Sequence, residues 1–154
     1  MKKCSLIILV LVVALLGMAW KFIIQGSTLP ASDGRAAIQL SPGEKDRVLA
    51  EMRAFLASVQ KITQGVSSKD MKLVASAARE VGSAARKEVP GSLMGKLPVG
   101  FKKLGFDTHT KFDNLARDAE ELGDPGHALE QLGALMQNCV ACHGAFRLQA
   151  TPPK

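Results

Sequence analysis

Apolar positions along the chain follow two regimes. Leu6 to Trp20 is an unbroken apolar run containing Gly17, and it resumes after Lys21 with Phe22, Ile23 and Ile24. Lys2 and Lys3 precede it as a positive flank, so residues 1–25 read as an export or anchoring segment. As a signal peptide it offers a small-x-small cleavage site at Gly17-Met18-Ala19. As a signal anchor, Leu6 to Ile24 supplies 19 residues, enough to span the hydrocarbon, with Trp20 at the interface and Lys21 snorkelling outward. The length of the run and the apolar residues beyond the cleavage site favour the anchor. Residues 26–40 (GSTLPASDGRAAIQL) carry turn formers without a period and read as a tether.

From Ser41 onward the period is helical. Ser41, Pro42 and Glu44 form a capping box with proline at the first helical position. Lys45, Leu49, Met52, Leu56, Val59 and Thr63 then recur at spacings of three and four, widened by Val48 and Phe55, and Gly65 is the expected stop. A second helix is expected from Ser67 or Ser68 to just before Pro90. Its stripe is Met71, Val74, Ala75, Ala78, Val81, Gly82 and Ala85. Val89 to Leu97 reads as a crossover loop with a short turn at Leu93-Met94. The third helix lies within Pro98 to Leu122, interrupted or kinked at Gly105, with Phe106, His109, Phe112, Leu115, Ala116 and Ala119 facing inward. The fourth begins with Asp124 and Pro125. It turns Leu129, Leu132, Leu135, Met136, Cys139, Cys142, His143 and Phe146 to one side.

Composition agrees with helices: tyrosine is absent, there is one tryptophan, and alanine, leucine, lysine and glutamate dominate. Residues 41–150 are enough for a four-helix core. The predicted fold class is therefore all-α: an antiparallel four-helix bundle preceded by a hydrophobic membrane segment and a linker. The net charge is +6, but three of the lysines belong to the leader, which leaves a mild +3 that does not argue for nucleic acid.

The chemistry is concentrated near the end of the chain. Cys139-Val140-Ala141-Cys142-His143 is the attachment pattern of a c-type haem. Both thiols add across the porphyrin vinyl groups, and the adjoining histidine supplies the proximal iron ligand. A Cys-x-x-Cys redox pair belongs beside a βαβ pattern, which is missing here. A zinc site needs a second ligand pair, and the remaining cysteine, Cys4, lies in the leader. One covalently attached haem c is the expected cofactor. Its covalent attachment takes place outside the cytoplasm, in keeping with the leader.

With Phe146 and Arg147 following, Cys139-x-x-Cys142-His143-x-x-Phe146-Arg147 resembles the signature of the cytochrome c′ family, in which the motif lies on the last helix of a four-helix bundle. The resemblance extends in length and layout from about Ser41 to Gln149, but only the haem motif is specific. Phe146 replaces the family's tyrosine. The resemblance implies a distal residue on the first helix, a basic residue (Arg147) beside the proximal imidazole, and a homodimer through the first two helices.

Met52 is the first candidate for the distal ligand, as in six-coordinate relatives; as plain core, it would leave Leu49 to face a five-coordinate iron. His109 is the rival ligand, or else a hydrogen-bonded core residue. Met71, Met94 and Met136 are weaker candidates, and His127 is expected at the surface. Lys45, Arg47 and Arg53 are candidate partners for the haem propionates. Two functions follow. One is a carrier of single electrons between redox partner proteins on the periplasmic side of the inner membrane. The other is a five-coordinate binder of nitric oxide or carbon monoxide. No acid/base pair or nucleophile constellation suggests an enzyme.

Overall fold

The computed structural model describes residues 2–84 and 89–151, with the side chains of residues 2–4 left aside. Helix α1 (Lys2–Ala19) continues into one wide π turn, Trp20–Gln25. The 21 residues Ser5–Gln25 have a mean hydropathy of 2.7, and none is buried against the rest of the molecule. An exposed apolar helix of that length is compatible with a membrane anchor or a signal segment.

Helix α2 (Pro42–Ser68) starts at the expected capping box. Ser41 Oγ accepts from the Glu44 amide at 3.4 Å while Glu44 Oε2 accepts from the Ser41 amide at 2.8 Å. The helix does not stop at Gly65. It runs to Ser68 and is capped by Lys69 in the left-handed region, φ 57°. Gly65 is buried instead, because a Cβ there would press on the Val74 side chain and the Asp70 carbonyl. Its role is close approach, not termination.

Helix α3 (Met71–Arg79) has Asp70 as its N-cap and ends eleven positions before Pro90. Two side chains of the helix packed against it account for the early end. Asp113 accepts from the Ser83 amide at 2.9 Å, and His109 Nδ1 meets the Val81 carbonyl at 2.7 Å. Both backbone groups are thereby diverted from a continuing helix. Ala85, expected on the same stripe, lies outside the described residues. The crossover contains the short helix α4 (Gly91–Lys96). Helix α5 (Val99–Glu121) is unbroken through Gly105, and α6 (Pro125–Ala145) starts at the expected Asp124 cap.

Helices α2, α3, α5 and α6 pack in a ring: α2 touches α3 and α6, and α5 touches α3 and α6. Ile62, Val74, Ala77, Ala78, Phe112, Leu115, Leu132 and Leu135 fill their common core. Small residues on α3 allow the close approach to α2 and α5.

The all-α expectation needs correction. The segment read as a tether forms β1 (Thr28–Pro30) and β2 (Ala36–Leu40), and Phe146–Ala150 forms β3 instead of prolonging α6. β1 and β2 are antiparallel, whereas β2 and β3 run parallel, with Ala36 opposite Phe146 and Leu40 opposite Ala150. The apolar residues of 36–40 explain the difference. Ile38 and Leu40 bury completely over Val48, Leu93 and Leu97, and a stretch with that much to bury does not remain solvated.

Candidate cofactor cleft

The regular spacing on α2 identified a face that only partly packs into the core. The buried positions of α2 are Val48, Ser58, Ile62 and Gly65. Leu49, Met52, Leu56 and Val59, the stripe expected from the spacing, instead line an open cavity of about 470 Å³. Across it lie Phe101, Leu104, Thr108 and Phe112 from α5. Met136, Asn138, Cys139, Cys142 and His143 of α6 complete the wall. Leu56 and Met136 are 70% and 45% exposed, so apolar side chains that would normally be covered face this space. Cofactor and ligand pockets run to roughly 300–1,000 Å³, and the cleft falls in that range.

On α6 the packed stripe is Ala128, Leu132, Leu135 and Asn138. The motif residues are offset from it: Cys139 and Cys142 are half-buried and His143 is exposed, all facing the cleft. Leu129, expected to face inward, is 55% exposed. Both cysteines are free thiols. Burial pushes both upward, and Cys142, with Cys139 beside it, is pushed up to about 11. They stay protonated at neutral pH, unlike the low-pKa thiolates of redox Cys-x-x-Cys sites. Among the described residues no group of three or more His, Cys, Asp or Glu side chains is arranged to hold a bare metal ion. A haem iron needs only axial ligands from the protein. Two thiols, an adjoining imidazole and an apolar cleft of about 470 Å³ are the kind of donors and lining that such a group would use.

Met52 and Leu49 both line the cleft. His109 reaches it too, but its ring nitrogens are engaged. Nδ1 donates to the Val81 carbonyl at 2.7 Å, and Nε2 lies 3.2 Å from Glu51 Oε1. The ring also packs against Phe55, centroids 5.0 Å apart. His109 is thus a hydrogen-bonded wall residue. With Phe55, Val48 and Gly105 it separates the cleft from a second cavity of about 540 Å³, where Arg47, Lys102 and Met94 are found. Arg53 borders the cleft itself, whereas Lys45 lines neither space. Met71 packs against the helical core. His127 is on the far half of α6, 3.4 Å from Asp118.

Arg147 is not one helical turn past His143, because α6 ends at Ala145. It sits in β3 and meets Asp33 of the β1–β2 turn at 3.4 Å. Phe146 opens the strand and packs edge-on against Phe101, centroids 5.7 Å apart at 81°.

Residues that periodicity does not single out hold the motif helix in place. Asn138 donates to Asp107 Oδ2 at 2.8 Å and to Thr108 Oγ1 at 3.3 Å, and it accepts from Lys111 at 3.1 Å. The Asn138 and Lys111 bonds hold the Asp107 carboxyl below the usual range. The i,i+4 spacing of Asp107 and Lys111 was a signal for this network in the sequence; the burial of Asn138 was not legible there. No family model, curated protein or solved structure matches the chain.

Proposed function

We propose that the chain is an exported c-type haem protein that carries single electrons. The helices of the ring then form an antiparallel four-helix bundle of the cytochrome c′ kind, held on the periplasmic face of the inner membrane by α1. One observation carries this reading: Cys139, Cys142 and His143 open together onto an apolar cleft that Met52 also lines. Bound haem c supplies a one-electron couple. The residues of the chain do the rest. Cys139 and Cys142 would hold it through thioethers, His143 would supply a nitrogen ligand to its iron, and the apolar walls would exclude water and cover the macrocycle.

Met52 would supply the second iron ligand in this reading, and redox partner proteins outside the cytoplasm would exchange the electrons. Leu49 on the same wall favours a second reading, in which the iron is five-coordinate and binds nitric oxide or carbon monoxide. A homodimer through α2 and α3 is compatible with either.

Optical spectra of the full-length exported protein, with and without carbon monoxide, test both. A covalent haem with sharp low-spin bands indifferent to the gas is expected. Met52→Ala should then turn the spectrum high-spin and make it respond to carbon monoxide. A wild-type spectrum that already responds, and is unchanged in M52A, selects the gas-binding reading. Absence of covalent haem removes both.

A further inference from the structure

The turn between β1 and β2 reaches the end of the motif helix. Helix α6 ends at Ala145, so the His143 carbonyl has no donor within the helix. Arg35 Nη1 donates to it at 3.2 Å. Arg35 is itself held: Nε and Nη2 donate to Asp33 Oδ2 at 3.0 and 2.7 Å, and its amide donates to Asp33 Oδ1 at 3.1 Å. Those bonds bring the Asp33 carboxyl down to about 2, so it remains ionised at neutral pH. Arg147 joins the same carboxylate from β3.

The turn is pinned at both of its ends. Parallel pairing of β2 with β3 begins at Phe146, immediately after the helix, and Thr151 N closes it on the Leu40 carbonyl at 2.8 Å. On the other side Ser27 N donates to the Lys96 carbonyl at 2.8 Å, and Gln39 N donates to the Ser27 carbonyl at 2.7 Å. Gly26, with φ +62°, lies so close to Lys96–Pro98 that any Cβ would collide with backbone. Gly26 directly follows the π turn of the apolar helix. A continuous set of backbone bonds thus runs from the end of that helix to the end of α6.

Histidines that bind a metal usually have their second ring nitrogen fixed by an acceptor. Among the described residues the only side-chain hydrogen bond that reaches His143 is the one from Arg35 to its carbonyl. We propose that Arg35, oriented by Asp33, is a positioning residue for His143, and that the β1–β2 hairpin clamps the ligand-bearing end of α6 to the membrane helix. This rests on the haem reading given above. Two guanidiniums against one carboxylate also leave a net positive charge at the His143 end of α6, which would lie near a haem held by His143. That charge favours the reduced, less positive iron and raises its potential.

The test uses the full-length, haem-loaded protein in detergent, with Arg35→Gln and Arg35→Lys as variants. Ferric electron paramagnetic resonance reads the orientation of the axial imidazole, and redox titration reads the potential. R35Q should broaden or shift the resonance and lower the potential. R35K, with the charge but without the fork, should keep most of the potential and still broaden the resonance. An R35Q protein with unchanged resonance and potential but a lower melting temperature would make Arg35 a plain helix cap and overturn the proposal. Should R35Q fail to accumulate, Asp33→Asn, which leaves Arg35 charged but unanchored, decides by the same resonance: broadened supports, unchanged overturns. A wild-type chain without covalent haem would remove the functional reading and this one with it. A loaded wild type with an indifferent R35Q removes the clamp alone.

Discussion

Gly82 and Gly105 sit in opposite surroundings, and their replacement should have effects of opposite sign. A Cβ on Gly82 would collide with the Asp113 carboxylate, the group that accepts from Ser83 and helps end α3. Gly82→Ala should therefore cost about 1–3 kcal/mol, as overpacking of a filled site does. A Cβ on Gly105 meets no protein atom within 4 Å, so in the haem-free chain no side chain opposes it. Gly105→Ala should add up to about 1 kcal/mol of helix propensity. Urea unfolding followed by circular dichroism measures both. At this scale the sequence was informative where a residue type has one chemical use. Cys139, Cys142 and His143 stand out by spacing, and all three line one cleft. Gly65 and Gly105 did not, because a glycine that stops a helix, admits a neighbour or faces empty space looks the same in one dimension.

At the scale of elements, the start of α2 is a small electrostatic unit. Glu44 closes the capping box and also receives Lys96 Nζ, at 2.8 Å on Oε1 and 2.6 Å on Oε2, which ties α2 to α4. The Lys96 bond first, and the Ser41 bonds after it, hold the Glu44 carboxyl below its ordinary value of 4.5 despite some burial. A lowered folded-state value means that the stabilisation is complete above the unfolded value and is lost as pH falls through the folded one. Glu44→Gln should cost about 1–2 kcal/mol at neutral pH, and the gap from wild type should close as pH drops below about 4.5. Thermal melts from pH 7 to pH 3 give the comparison; a gap independent of pH would refute it. Caps were legible because they are local: Ser41, Glu44, Asp124 and Pro125 act within one turn. The ends of α3 and α6 were not: Asp113 and His109 meet the backbone just past α3, and β2 pairs with the segment just past α6, and all of these lie far away in sequence.

For the whole molecule, the exposed apolar helix and its direct junction with the domain bear on location. Ser5–Gln25 is long and apolar enough to span a bilayer. The full-length protein expressed with its leader should stay with the membrane fraction after an alkaline carbonate wash. Recovery in the soluble fraction would show that the leader is removed. The sequence by itself determined the helices, most of their starts, the apolar leader and the three residues of the motif. Each of these depends on neighbours within a few positions, by period, cap or spacing. Only the tertiary structure decided that residues 26–40 pair as strands, that Phe146 and Arg147 leave the helix, and that the α2 stripe from Leu49 to Val59 lines a cleft. A hydrophobic period marks a face that avoids water but does not say whether a side chain or a cofactor will cover it. Likewise, a short apolar segment such as Ala36–Leu40 becomes a strand only because the end of a distant helix offers it an edge.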